Sequence, residues 1–97
     1  MPTTPITIRP AMPADAAALR NLAALDGRPP LRGPAIIAEA RGRAIAAIAL
    51  DDGAVAADPM RRTAGPVTLL RTQRELLRSH HRGTANGRLS FPRLRAA

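Results

Sequence analysis

Arginine is the residue type in this chain whose spacing most suggests a binding surface. Arg71, Arg74, Arg78 and Arg82 recur every three or four residues, which on a helix sets four guanidinium groups along one arc. The planar guanidinium fork suits bidentate contact with phosphate. These four residues are therefore the candidate anion-binding set, with nucleic acid as one candidate partner. The competing reading is a solvated helix face. Single-strand recognition usually adds aromatic stacking, and the only aromatic residue is Phe91. No helix-turn-helix or ribbon motif is apparent.

Other chemistries find less support. His80 and His81 are adjacent, so they point to different sides of a helix and lack the i, i+4 spacing of a helical zinc pair. Asp51, Asp52 and Asp58 read as turn formers, because Asp-Asp-Gly is common turn chemistry and the remaining oxygen ligands of a cation are not supplied. Ser79 and Ser90 sit in no recognisable nucleophile motif. With no cysteine in the chain, disulfides, Cys-ligated zinc, iron–sulfur clusters and thiol nucleophiles are excluded. No metal is expected.

The charge is divided unevenly. Residues 1–60 hold six arginines and six acids, whereas residues 61–97 hold nine arginines and Glu75 alone, so the whole formal charge of +8 belongs to the last third. Such asymmetry suggests an anionic partner or a basic tail. The chain has 97 residues, enough for one domain. Much of its 45% apolar content is alanine, which buries little area. A thin core of Ile, Leu and Ala suggests that a second copy or a protein partner completes the fold. The longest apolar stretch, Ala44 to Leu50, falls far short of the ~20 residues that span a bilayer. With no signal peptide visible at the N-terminus, a cytoplasmic protein is expected.

The elements that must position these residues follow from periodicity. Ile6-Thr7-Ile8-Arg9 alternates as a strand and Pro10 ends it. Pro13 suits the first turn of a helix, Asp15 its positive end, and Gly27 its stop. Ala18, Leu19, Leu22 and Leu25 share one face of it. Residues 28–34, with three prolines and a glycine, form a loop. Residues 35–40 and 44–50 form two strands around the turn Arg41-Gly42-Arg43, and residues 54–57 form a short fourth strand after Asp51-Asp52-Gly53. A second helix is predicted from about Pro66 to Arg82, with Leu69, Leu70, Leu76 and Leu77 on its apolar arc. Residues 83–97 read as a flexible basic tail, leaving residues 1–82 as the domain. The order β-α-β-β-β-α predicts an α+β fold: a four-stranded antiparallel sheet with both helices on one face.

That order, with the run Ile6-Thr7-Ile8-Arg9-Pro10-Ala11 leading into Pro13-Ala14-Asp15-Ala16, resembles the opening of the GCN5-related N-acetyltransferases. The hairpin over residues 35–50 resembles their second and third strands, and the likeness covers roughly residues 4–60, the N-terminal half of that domain. The resemblance implies a loop after the fourth strand whose backbone N–H groups cradle the pyrophosphate of acetyl-CoA. The matching place here reads Arg62-Thr63-Ala64-Gly65-Pro66-Val67. Arg62 and Gly65 agree with the family pattern. Val67 replaces its final small residue, and Pro66 has no N–H to give. Glu39 falls where related enzymes can keep a base, and the family's usual general acid, a tyrosine, has no counterpart in a chain without tyrosine.

Three functions follow as expectations. The first is a truncated acetyltransferase-like domain, non-catalytic, with no cofactor, acting as an association or binding module. The second is an acetyl-CoA-dependent N-acetyltransferase completed by dimerisation or by another chain. The third is a basic adaptor for nucleic acid.

Overall fold

The computed structural model describes residues 5–84, with side chains through Ser79. Its elements are β1 (Ile6–Pro10), a single 3-10 turn (Pro13–Asp15), α1 (Ala16–Leu25), β2 (Ala35–Ala40), β3 (Arg43–Ala49), β4 (Val55–Ala57) and α2 (Ala64–Thr84). The strands form one antiparallel sheet in the order β1-β2-β3-β4. The α+β order and the meander are those expected from the sequence. The tail expected over residues 83–97 lies outside the described residues from position 85, and α2 itself reaches Thr84.

The placement of the helices corrects the expectation of two helices on one face. Successive strand residues point to opposite sides of a sheet, and β2 is apolar on both. Ile36, Ala38 and Ala40 join a core cluster with Leu70 of α2. Ile37 joins another with Leu22 of α1. All of these residues are buried. A sheet apolar on both faces must be covered on both, so α1 and α2 lie on opposite sides. A run such as Ala35-Ile36-Ile37-Ala38 carries this requirement, because a strand with one wet face would alternate with polar residues.

β3 adds an irregularity that serves both layers. Ala38 pairs with Ala46 and Glu39 with Ala44, leaving Ile45 without an opposite residue on β2. This bulge places Ile45 beside Ala46 in the α2-side cluster. The Ile45 carbonyl accepts the Asp58 N–H at 2.9 Å, which ties down the chain as it leaves β4. The β2–β3 turn is tighter than expected: Arg43 already belongs to β3, and Arg41 and Gly42, at φ 54° and 75°, make a two-residue loop.

The apolar arc expected on α2 divides. Leu70 is fully buried and Leu77 half-buried, while Leu69 and Leu76 are 49% and 58% exposed. The helix is rotated so that Val67, Leu70, Arg74 and Leu77 turn inward, and the leucines at 69 and 76 are left on one flank. On α1, Leu22 and Ala23 are buried, and Leu25 is exposed at its end. Leu70→Ala should therefore cost about 2–5 kcal/mol in urea unfolding. Leu76→Ala should stay within about 0.5 kcal/mol of the parent.

Candidate functional site

The two edges of the sheet are finished differently, and that difference defines the candidate site. On β4, Ala49 N–H donates to Ala54 C=O and Asp58 N–H to Ile45 C=O. This phase turns the backbone groups of Val55 and Ala57 away from β3. The loop after α1 meets two of them: Arg28 donates through Nη1 to the Val55 carbonyl at 3.0 Å, and the Ala57 N–H donates to Asp26 Oδ2 at 3.1 Å. Charged side chains thus occupy the β4 edge, a recognised way of blunting a strand against further pairing.

β1 has no such cover among the described residues. Ala11 N–H donates to Ala35 C=O, so Arg9–Ile37 and Thr7–Glu39 are the hydrogen-bonded pairs and Ile6 and Ile8 direct their N–H and C=O groups outward. Pro10, the last residue of β1, also faces outward, where its missing N–H costs no ladder bond. The side chains of Ile6 and Ile8 are half-buried against the α2-side core. Above them stands the exposed flank of α2. Arg74 turns the opposite flank toward the β3–β4 turn, so Leu69 and Leu76, about 100° round the axis from Leu70, look out over β1. An open strand edge and an apolar strip therefore share one side of the molecule.

β1 is held rigidly from the α1 face. Arg9 makes a two-pronged contact with Asp15, Nη1 to Oδ2 and Nη2 to Oδ1, both at 2.8 Å, and Nη2 also donates to Glu39 Oε2 at 2.9 Å. Asp15 Oδ2 accepts the Met12 N–H at 2.6 Å, which closes the bend between β1 and the 3-10 turn. The bonds from Arg9, and then the one from Met12, hold the Asp15 carboxyl down at about 2, and the same carboxylates push the Arg9 guanidinium above its usual range. Glu39 is thus engaged in an ion pair with Arg9. Asp15 acts as the hinge pin of this corner, a role beyond the helix-dipole contact expected of it. The signal was present as an arginine at the strand end followed six residues later by an acid, but neither residue looked reactive.

Of the arginines expected to form one stripe, Arg74 is withdrawn from the exposed surface. Arg74 reaches the β3–β4 turn, where Nε donates to Leu50 C=O at 2.9 Å and Nη2 to Asp51 C=O at 3.3 Å; its side chain is only 16% exposed. It packs over Gly53, at φ +78°, where an added Cβ would meet the guanidinium at 3.1 Å. Arg71 and Arg78 remain exposed on the helix. The Arg82 side chain lies outside the described residues, as do those of His80 and His81. Arg62 and Gly65 are both exposed where α2 begins. There the Val67 N–H is already donated to Thr63 C=O at 2.8 Å, so of the first four helical positions only Ala64 and Gly65 keep an N–H to offer.

The aspartates act as turn formers: Asp52 Oδ1 accepts the Ala54 N–H and Asp58 Oδ1 the Met60 N–H, each at 2.9 Å. No group of three metal-ligating side chains occurs among the described residues. A shallow cleft of about 390 Å³ lies between α1 and the β2–β3 turn, with Asn21, Leu25, Arg43 and Asp58 on its walls. It gathers none of the candidate anion- or cofactor-binding residues Arg62, Gly65, Arg71, Arg74 and Arg78, and its one carboxylate, Asp58, is a turn former. No helix among the described residues is long and apolar enough to cross a membrane. Compared with known proteins, the chain matches no family model, no curated protein and no solved structure.

Two outcomes test these contacts. The folded Asp15 pKa lies below the unfolded value near 3.9, so its stabilisation is present above about pH 4 and is lost as pH falls toward 2. Urea midpoints should drop across that window in the parent, and the drop should be smaller in Asp15→Asn, which begins lower at pH 7. Arg74→Met should cost on the order of 1–3 kcal/mol by releasing the Leu50 carbonyl, whereas Arg71→Met should be neutral in the same assay.

Proposed function

We propose that this chain is a non-catalytic association module, built like the N-terminal half of an acetyltransferase, which receives an extended strand along the outer edge of β1. The observation that carries this reading is the asymmetry of the edges. Arg28 and Asp26 occupy β4, while Ile6 and Ile8 turn two N–H and two C=O groups outward on β1 with no partner among the described residues, on the side of exposed Leu69 and Leu76. A strand added there gains main-chain hydrogen bonds for affinity and side-chain contacts on the groove side for selectivity. The Arg9–Asp15–Glu39 cluster supports it by fixing β1 before any partner arrives, which lowers the ordering cost of binding.

The other two readings draw less support. For an acetyl-CoA-dependent N-acetyltransferase completed by another chain, Arg62 and Gly65 remain exposed at the start of α2. A cofactor inserted along β4, however, would have to displace Arg28 from Val55, and Pro66 and the bonded Val67 N–H narrow the anion cradle. For a nucleic-acid adaptor, the charge of residues 61–97 stands, but the engagement of Arg74 breaks the continuous four-arginine arc.

A fluorescent peptide spanning residues 4–12, the chain's own first strand, serves as the probe. Saturable binding by the dilute full-length protein is expected. Ile8→Pro, which removes an outward N–H, should weaken it at least tenfold with α-helical and sheet content retained. Absence of binding at millimolar peptide would overturn the reading.

A further inference from the structure

The open edge is suited to one strand in particular. The geometry points to a second copy of this chain as its occupant, through antiparallel β1–β1 pairing about a two-fold axis at Thr7. This inference rests on the association reading above and names the partner.

The hydrogen-bond pattern selects the register. The groups facing outward are N–H and C=O of Ile6 and Ile8, and C=O alone of Pro10. With Thr7 opposite Thr7 of the second copy, Ile6 of each chain meets Ile8 of the other and exchanges both bonds, so all four outward N–H groups are satisfied without Pro10. A register centred on Ile8 would rely on the Pro10 carbonyl, which already accepts Arg9 Nη1 at 3.2 Å. In the Thr7-centred register, two threonines fall in a close, non-hydrogen-bonded pair, a favourable cross-strand combination. The arrangement is isologous and closed, and it consumes the open edge of both copies. The outer limits of the resulting eight-stranded sheet are the two β4 strands, each already capped by Arg28 and Asp26.

Charge distribution favours a like partner at this edge despite the net charge of +8. Arg9, the arginine on β1 itself, is matched by Asp15 and Glu39. The flank of α2 over β1 presents Leu69, Gln73 and Leu76, whereas Arg74 lies on the flank turned toward β4, and Arg71 and Arg78 share that flank by helical spacing. Pairing therefore sets the basic flanks on the far sides of the dimer. α2 rests on β2 and β3, so strand spacing puts the two α2 axes roughly 20 Å apart. At that separation the leucines shelter a floor of four isoleucines without interlocking. A five-residue edge is about 17 Å long. So small an interface implies a weak dimer.

Sedimentation of the full chain across 1–500 µM is the test, with three variants at the axis. Thr7 is exposed, so replacing it leaves the core intact. Thr7→Lys alone should raise Kd at least tenfold, because like charges then face each other directly. Mixing it with Thr7→Glu should restore a mixed dimer. In a chain without cysteine, Thr7→Cys should form a disulfide-linked dimer on mild oxidation, and Arg20→Cys, exposed on α1, should not. Added salt should tighten the dimer by screening the net repulsion. A chain that stays monomeric at 500 µM while still binding the residue 4–12 peptide would overturn the second-copy assignment and leave the association reading standing. Failure of both would remove both. A dimer indifferent to Thr7→Lys, or loosened by salt, would overturn β1–β1 pairing.

Discussion

Everything in this fold follows from β2 and β3 being apolar on both faces. Ile36 and Ile37 are consecutive, each at most 4% exposed, and consecutive strand residues cannot share a side. Burying both requires a cover above and below the sheet. One helix precedes β2 and the other follows β4, so each can take a face without crossing the other. The cost of this arrangement is that the small domain spends both helices on the faces of the sheet, α1 over β3 and β4 and α2 over β2 and β3. The edges must then be finished by side chains or by another molecule.

The alanines make that double cover possible with little mass. Ala38, Ala46, Ala47, Ala49 and Ala56 have no measurable exposure, and their short side chains let the helices approach the sheet closely. Each buries little area, however, so the stabilisation rests on a few larger residues. Leu22 and Ile37 anchor one layer, and Ile48 and Leu70 the other. The bulge at Ile45 belongs to the same economy, since it adds a second large side chain from β3 to the α2 layer, beside Ile48.

How much was legible in the sequence varied with the kind of signal. Strand order, both helices and the turns at Gly42 and Gly53 were readable, because alternation, helical spacing and glycine punctuation are local. The side on which each helix packs was not read correctly, although Ile36-Ile37 contains it, because it depends on treating β2 as buried on both faces. Leucine spacing on α2 placed Leu69, Leu70, Leu76 and Leu77 together. The fold rotated the helix by taking Arg74 inward to the carbonyls of Leu50 and Asp51, a tertiary contact that no helical wheel records. The same contact explains why the arginine stripe, the strongest pattern in the sequence, is not a continuous surface. The roles of Arg9 and Asp15 were hidden for the opposite reason. Both residues were visible in the strand-to-helix opening, but their physical content, a guanidinium holding strand, turn and neighbouring strand together, emerges only when Glu39 is brought alongside.

The contrast between the two edges also bears on how the chain avoids indiscriminate aggregation. An exposed strand edge pairs with any other edge unless something limits it. On β4 the limit is charge, supplied by a loop whose prolines, Pro29 and Pro30, fix its path and whose Leu31 docks on the α1-side core. β1 uses brevity and Pro10, which confine its full hydrogen-bonding capacity to Ile6 and Ile8. An edge whose described residues offer only two outward donors, both in a fixed register, is poorly matched to long, flat strands and well matched to a partner of the same length. The restriction that keeps β1 from nonspecific pairing is thus also what would make its pairing selective.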